Sequence, residues 1–283
     1  MKPKANPLAV VLLFVYTAVS LIPVGWLVIT SLQDPADVGV SPPKFIPGEQ
    51  STPGESEFRA SLDAYDRLFA AETFWRAALS SLVIAAASTI VAVTVGTLAA
   101  YGSRRSSSRS GGGLGSFLLV RLLPPLALAV PLSVLFAYAG LTDSWIGLIV
   151  ITSILNLPFS AWMMRAFLDR VPRSFEEVAL IDGYPRGVIF RKIVLPEVKA
   201  GIVVTTLFCF VTAWNELAFA RVLAGGETLT LPVYLSSFIG AANPVPWELF
   251  AAGSVVFLLP AVVLGLLIRR HLVTGFSLGA VRG

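Results

Sequence analysis

Six stretches of this chain are predominantly apolar for about twenty residues or more, which is more oily surface than one water-soluble core can hide. They cover about residues 9–31, 77–102, 116–140, 145–168, 201–224 and 249–268. At 1.5 Å of rise per residue, each is long enough to cross the roughly 30 Å hydrocarbon layer of a bilayer as a helix. Composition agrees: 55% of the residues are hydrophobic and 13% charged, against about 25% charged in an average soluble domain. The expected fold class is therefore all-α, a polytopic membrane protein of six transmembrane helices forming one domain over residues 1–283. The first window is too long and starts too late for an ordinary signal peptide, and no clear A-x-A site follows it, so it reads as a retained helix.

Charge sets the orientation. With the N-terminus inside, the inner segments collect Lys2, Lys4, Arg104, Arg105, Arg109, seven Arg and Lys between 165 and 199, then Arg269, Arg270 and Arg282. That is fifteen of the 21 basic residues, while the outer segments hold Lys44, Arg59 and Arg67 beside eight acids. The positive-inside rule then puts both termini in the cytoplasm.

Outside the spans, residues 32–73 form an external segment rich in Pro, Gly and Glu, with a short helix expected around residues 62–71. The Arg/Ser/Gly run of 103–115 reads as a flexible inner linker; a lipid or nucleic-acid role for it has little support. The single cysteine, Cys209, excludes an intrachain disulfide and sits in an apolar run as a small hydrophobe. The single histidine, His271, has no cysteine cluster or acidic pair near it, so no metal site is expected. Within the spans, Ala92, Gly96 and Ala100 make a small-xxx-small row suited to close helix packing. Pro124, Pro125, Pro131, Pro158 and Pro260 interrupt three helices and free carbonyls that neighbours or water must satisfy.

Residues 169–199 are the most informative. Ser174 followed by Glu177 fits a capping box, starting a short helix just after Pro172. Gly183 is a natural helix stop, and Pro185 suits the first turn of a second helix. Ile189 and Ile193 share that helix's face, Arg191 and Lys192 point elsewhere, and Pro196 is expected to end it. The product is a helix-turn-helix bracket whose Val178, Ala179 and Ile181 offer small knobs to a partner groove, with Glu177 and Asp182 at the ends. A helix lying on lipid headgroups is the competing reading.

Glu177-Val178-Ala179, Gly183 and Ile193-x-Leu195-Pro196 carry a resemblance. Their composition, spacing and place before the last pair of spans resemble the EAA loop of binding-protein-dependent ABC importer permeases, with Val178 in place of the central alanine. Lys44-Phe45-Ile46-Pro47, Leu62-Asp63-Ala64-Tyr65, Thr212-Ala213-Trp214-Asn215-Glu216 and the ending from Thr274 to Gly283 are similar to the shorter, maltose-type permease of the carbohydrate-uptake branch. Ala64-Tyr65 and Ser80-Ser81 stand where that branch typically has Asn-Tyr and Asn-Ser.

The resemblance implies a set of partners in a prokaryotic inner membrane. They are a second, unlike permease subunit that completes the pore, two ATPase subunits, an extracytoplasmic solute-binding protein, a carbohydrate substrate and membrane lipid. ATP and Mg would belong to the ATPase; this chain has no G-x-x-x-x-G-K-[ST] loop and is expected to bind no cofactor or nucleic acid and to catalyse nothing. The ATPase would grip Glu177, Val178, Ala179, Asp182, Gly183, Ile193, Leu195 and Pro196, Glu177 having the capping box as its alternative role. The tail 271–283, with Gly275, Ser277, Gly279 and Ala280, would reach the ATPase interface or be disordered. Asn156, Trp214, Asn215 and Glu216 are polar or aromatic groups inside spans and so candidates for solute contact, or for hydrogen bonds to the second permease. A self-contained secondary transporter would show inverted repeats and paired midplane ionisable groups, and only Glu216 is plainly intramembrane and acidic. A membrane enzyme lacks any acid pair, metal cluster or Ser/His arrangement.

Overall fold

The computed structural model describes residues 7–35, 38, 60–104, 124–241 and 245–277, with side chains of the final helix to residue 268. Every regular element among these residues is helical. In chain order they are α1 (Pro7–Ser31), α2 (Asp63–Ala70), α3 (Glu72–Ser103), α4 (Pro125–Tyr138), α5 (Trp145–Leu168), α6 (Arg173–Ile181), α7 (Arg186–Ile189), α8 (Leu195–Glu197), α9 (Lys199–Trp214), α10 (Ala218–Leu223), α11 (Leu231–Ala241) and α12 (Trp247–Ser277). A π-turn, Phe190–Val194, joins α7 to α8.

Among the described residues, four helices are long and apolar enough to cross a membrane: α1, α3, α5 and the Trp247–Ile268 part of α12. A fifth span results if Arg186–Glu197 and Lys199–Trp214, bent by 77° at Val198, are counted as one. The third window is shorter than expected within the described residues. Pro124 caps α4 and Pro125 is its first residue, because a proline has no N–H to lose at a helix start. Residues 116–123, the linker beyond Arg104, the Lys44–Pro47 motif and the chain after Ser277 lie outside the described residues.

The fifth window, expected as a continuous helix over 201–224, is broken at Asn215–Leu217. Asn215 Nδ2 donates to the Val211 carbonyl at 2.8 Å. Glu216 accepts from the Phe219 and Ala220 N–H groups, both at 2.9 Å, and so caps α10. A polar pair inside an apolar run supplies the groups that a helix end and a helix start leave unsatisfied.

Two compact units divide the described chain. One joins the chain up to Trp75 with Tyr234–Leu259. Here Ser31 and Tyr65 share a hydrogen bond of 2.8 Å, and Arg67 pairs with the buried Glu248 at 2.6 Å. Leu68, Phe74, Leu235, Ala251 and Ala252 are buried around these links. Nearly all of α1 is exposed, Phe14 at 74%, an arrangement that water penalises and hydrocarbon does not.

The second unit, Arg76–Val233 with Pro260–Gly283, holds most of the packing. Its α3 and α5 touch closely through the small-residue row: Ala92 and Ala100 are fully buried, and a Cβ added to Gly96 would lie 2.4 Å from Ser160 Oγ and 2.9 Å from the Ala161 nitrogen. One apolar cluster, including Ile84, Phe136, Leu148 and Phe219, sits where α4, α5 and α10 meet. A second, including Tyr101, Met164, Leu168 and Ile189, fastens the bracket to the far end of α3 and α5.

Candidate functional site

The bracket is formed by α6, the turn at Gly183, and the α7–π–α8 rod. Pro172, not Ser174, is the N-cap of α6, which makes no side-chain capping bond. Ser174 thus falls inside the first turn, and the capping box expected of Ser174 and Glu177 is not formed; Glu177 is exposed. The helix stops as expected. Gly183 has φ +83°, Tyr184 N–H donates to the Ala179 carbonyl at 3.0 Å and Gly183 N–H to the Leu180 carbonyl at 3.1 Å. This pair of bonds is the Schellman motif, which closes the last carbonyls of a helix around a left-handed residue.

Pro185 caps α7, one position before the helix proper. The rod does not end at Pro196. Leu195 N–H bonds five residues back to the Phe190 carbonyl, and Pro196 then lies in the first turn of α8. A proline inside an α-helix clashes with the carbonyl four residues earlier. The π-turn widens the helix ahead of the ring and moves the break to Val198, where φ and ψ are −96° and 10°.

Of the expected knobs, Ala179 is buried at 5% exposure and packs inside the bracket. Val178 and Ile181 are exposed at 59% and 85%, and Phe175 and Tyr184 extend the same apolar surface. Residues 175, 178 and 181 stand three apart, one face of a helix. Glu177 and Asp182 are exposed beside it, with Arg191 and Lys192 exposed on the rod. Behind this face, Ile189 and Val194 are fully buried and Ile193 half-buried. Leu195 is half-buried and Pro196 exposed.

The residue that ties the bracket down is one the motif reading passed over. Glu176, adjacent to Glu177, points inward. Its carboxylate accepts from Tyr101 Oη at 2.9 Å and Arg104 Nη1 at 2.8 Å. Arg104, 4% exposed, also donates to the Val171 carbonyl, and its own carbonyl accepts from Arg173 Nη2 at 3.0 Å. Asp169 adds a more distant contact to Arg104 at 3.9 Å and accepts from Arg165 Nε at 2.9 Å. Buried charges persist when paired and hydrogen-bonded, and both are met here. The Tyr101 ring packs on Phe190 with centroids 4.8 Å apart, joining the same helix end to the rod. An acidic pair in a short helix between Arg-rich segments was the available signal; which acid turns inward was not.

The candidate solute residues do not converge. Asn156 is fully buried and its Nδ2 donates to the Cys209 carbonyl at 3.2 Å, placing it between α5 and α9. Trp214 is buried and stacks on Phe210, while Asn215 is exposed at the break. Trp214 and Glu216 share with Ser81, Thr152 and Thr230 the wall of a cavity of about 10 Å³, space for one water. Of the tail residues, Gly275 and Ser277 lie in the backbone helix of α12; Gly279 and Ala280 lie outside the described residues.

At the other end of α5, Asp143 clasps two loops. Its carboxylate accepts from Gly225 N–H at 2.8 Å, Thr228 N–H at 3.0 Å and the Thr228 hydroxyl at 2.6 Å. The Thr228 hydroxyl, with these backbone donors behind it, holds the Asp143 carboxyl below its ordinary range. Asp143 adopts φ 47°, which aspartate tolerates better than most residues.

Residues 92–277 match the family described as "Binding-protein-dependent transport system inner membrane component". The chain is 30% identical to the probable ABC transporter permease protein y4oR of Sinorhizobium fredii, over 96% of this chain and 92% of that one. It is 31% identical to the trehalose transport system permease protein SugB of Mycobacterium tuberculosis, over 93% of each. Its fold superposes with a TM-score of 0.67 on a chain of a bacterial ABC transporter involved in import of the acidic polysaccharide alginate, at 20% identity and covering 93% of this chain and 94% of that one. The matched region contains the bracket, its buried anchor and every helix from the second half of α3 onward. This chain belongs to the family of inner membrane components of binding-protein-dependent transport systems, the multi-pass, non-catalytic permease subunits of ABC importers.

Proposed function

We propose that the chain forms half of the translocation pore of an ATP-driven carbohydrate importer and that its bracket is the cytoplasmic dock for a separate ATPase. The exposed apolar face of Phe175, Val178, Ile181 and Tyr184 carries this reading. A cluster of exposed large apolar side chains marks an interaction surface. The rod behind it is packed on α5 and leads directly into α9, so a push on the face is delivered to two helices of the pore. Glu177 and Asp182 flank the face and Gly183 makes the turn. Ile193, Leu195 and Pro196 brace it from the rod, while Ala179 contributes from inside.

The wider arrangement follows. Six spans with both termini in the cytoplasm accord with the distribution of basic residues, and the whole chain, 1–283, acts as one permease domain. Its external segment 32–73 faces the solute-binding protein, and its tail, with Gly275, Ser277, Gly279 and Ala280, runs toward the ATPase. ATP and Mg are held by that ATPase. The second permease is an unlike chain. A carbohydrate solute is supported by the trehalose system to which the chain is similar. Asn215, exposed at the break after Trp214, is assigned to meet it, with Trp214 and Glu216; Asn156 contributes only when α5 and α9 part.

The test is uptake into proteoliposomes holding the full complex, with its binding protein and a panel of labelled di- and oligosaccharides. ATP-dependent accumulation of at least one saccharide is expected. A solitary chain that transports without ATP, or a complex stimulated by amino acids or peptides alone, refutes the assignment.

A further inference from the structure

Glu176 joins the bracket to α3, a helix that neither the docking face nor the chain connections of the bracket involve. Among the four helices long enough to cross a membrane, α3 alone contains no proline; α1, α5 and α12 carry Pro23, Pro158 and Pro260. Prolines remove a hydrogen bond and kink a helix, and α3 is spared that source of bending. It is held at two levels along its length. At one, Tyr101 and Arg104 grip the Glu176 carboxylate at 2.9 and 2.8 Å in a buried site. At the other, the buried Ser81 hydroxyl accepts from the Leu231 N–H at 2.7 Å, where the loop clasped by Asp143 enters α11. Twenty residues separate Ser81 from Tyr101, about 30 Å along a helix and the thickness of a bilayer core.

We propose that α3 is a push rod: it carries movement of the ATPase-driven bracket, through Glu176, across the membrane to the loop at residues 224–231. Glu176, Tyr101, Arg104 and Ser81 are positioning residues in this scheme, since they act through the helix and touch neither solute nor nucleotide. The proposal rests on the bracket being the ATPase dock. It differs from a purely structural anchor in one respect. A structural anchor affects only its own end, whereas a rod makes its two ends interdependent.

That difference is measurable in the complete complex, reconstituted with its native partner permease, ATPases and binding protein. The readout is the ratio of ATPase rate with solute-loaded binding protein to the basal rate. Glu176→Gln keeps the size of the side chain, removes its charge and leaves one oxygen instead of two to accept from Tyr101 and Arg104; Tyr101→Phe removes one hydroxyl and is the milder second variant. Ser81→Ala cuts the far end. Each is expected to lower the ratio about threefold or more, within the range seen for residues that touch neither ligand, while the ATPase still co-purifies at wild-type amount. Independent sites this far apart combine multiplicatively. The double variant Glu176→Gln/Ser81→Ala is expected to be no worse than the stronger single one. A product of the two single effects, or an unchanged ratio in Glu176→Gln, overturns the rod. Val178→Asp, on the exposed face, separates the premises: it should lose the ATPase in the pull-down, and its retention there overturns the docking reading and removes the rod's driver.

Discussion

Replacing Gly183 by valine puts a β-branched side chain on a residue whose φ is +83°. A Cβ built there meets no heavy atom within 4 Å, so steric crowding contributes nothing and the whole effect is backbone strain. Left-handed backbone costs an L-residue about 1–2 kcal/mol, with the upper end fitting valine. The variant gains a little through its less flexible unfolded chain, about 0.4–1 kcal/mol, which leaves a net loss of about 1 kcal/mol. Converted at RT of about 0.6 kcal/mol, that moves the closed-to-open ratio of the α6–α7 turn by about fivefold. The two Schellman bonds, from Tyr184 to Ala179 and from Gly183 to Leu180, are the ones released.

Because space is open, backbone preference and not volume sets the order of a series: Gly183→Asn should be milder than Gly183→Ala, although asparagine is larger, and Gly183→Val the most severe. Transport of labelled solute, normalised to the amount of chain in the membrane, would show this order. Hydrogen exchange over residues 179–186 would rise in parallel. Wild-type transport and exchange in Gly183→Val, or a ranking by side-chain size, would refute the argument.

Two further outcomes follow from packing and charge. Gly96→Ala should lower the thermal midpoint of the detergent-solubilised protein, by an overpacking term of about 1–3 kcal/mol, because the new methyl would meet Ser160 Oγ at 2.4 Å and the Ala161 backbone at 2.9 Å. Gly102→Ala on the same helix meets nothing within 4 Å and should be neutral or slightly stabilising. Asp143 has a lowered pKa, so its contribution to stability is complete above the ordinary carboxylate range of about 4 and is lost as pH falls through the lowered native value. Asp143→Asn should abolish that acid dependence and speed exchange at Gly225 and Thr228 at neutral pH; unchanged exchange would mean the clasp is idle.

What could be read directly was whatever depends on neighbours in sequence. Apolar windows announce helices that need lipid, and these gave α1 and α5 to within two residues, while α3 starts five residues earlier than its window and α12 runs nine residues beyond its own. The short helix expected around 62–71 is α2, and Gly183 terminates α6 because the left-handed conformation is a local property of one residue. The same local logic failed where two equivalent choices stood side by side. Ser174 and Pro172 both suit a helix start, and the chain uses Pro172. Pro196 looked like an end, yet a π-turn ahead of it absorbs the missing N–H and lets the rod run on to Val198. The span expected to run unbroken over 201–224 stops at Asn215–Leu217, where the Asn215 and Glu216 side chains satisfy the backbone and the Glu216 carboxylate caps α10.

Glu176 marks the limit most sharply. It and Glu177 are identical in type and adjacent, and only Glu177 falls in the recognisable motif. Only the arrival of Tyr101 and Arg104, more than seventy residues earlier in the chain, decides that Glu176 turns inward and Glu177 faces outward. Sequence alone determined where the long apolar helices lie and that they belong in a membrane, since hydrophobicity and backbone conformation are short-range properties. The direction a side chain faces, and the helix it binds, were settled by tertiary packing, because burying a carboxylate is favourable only where distant donors meet it.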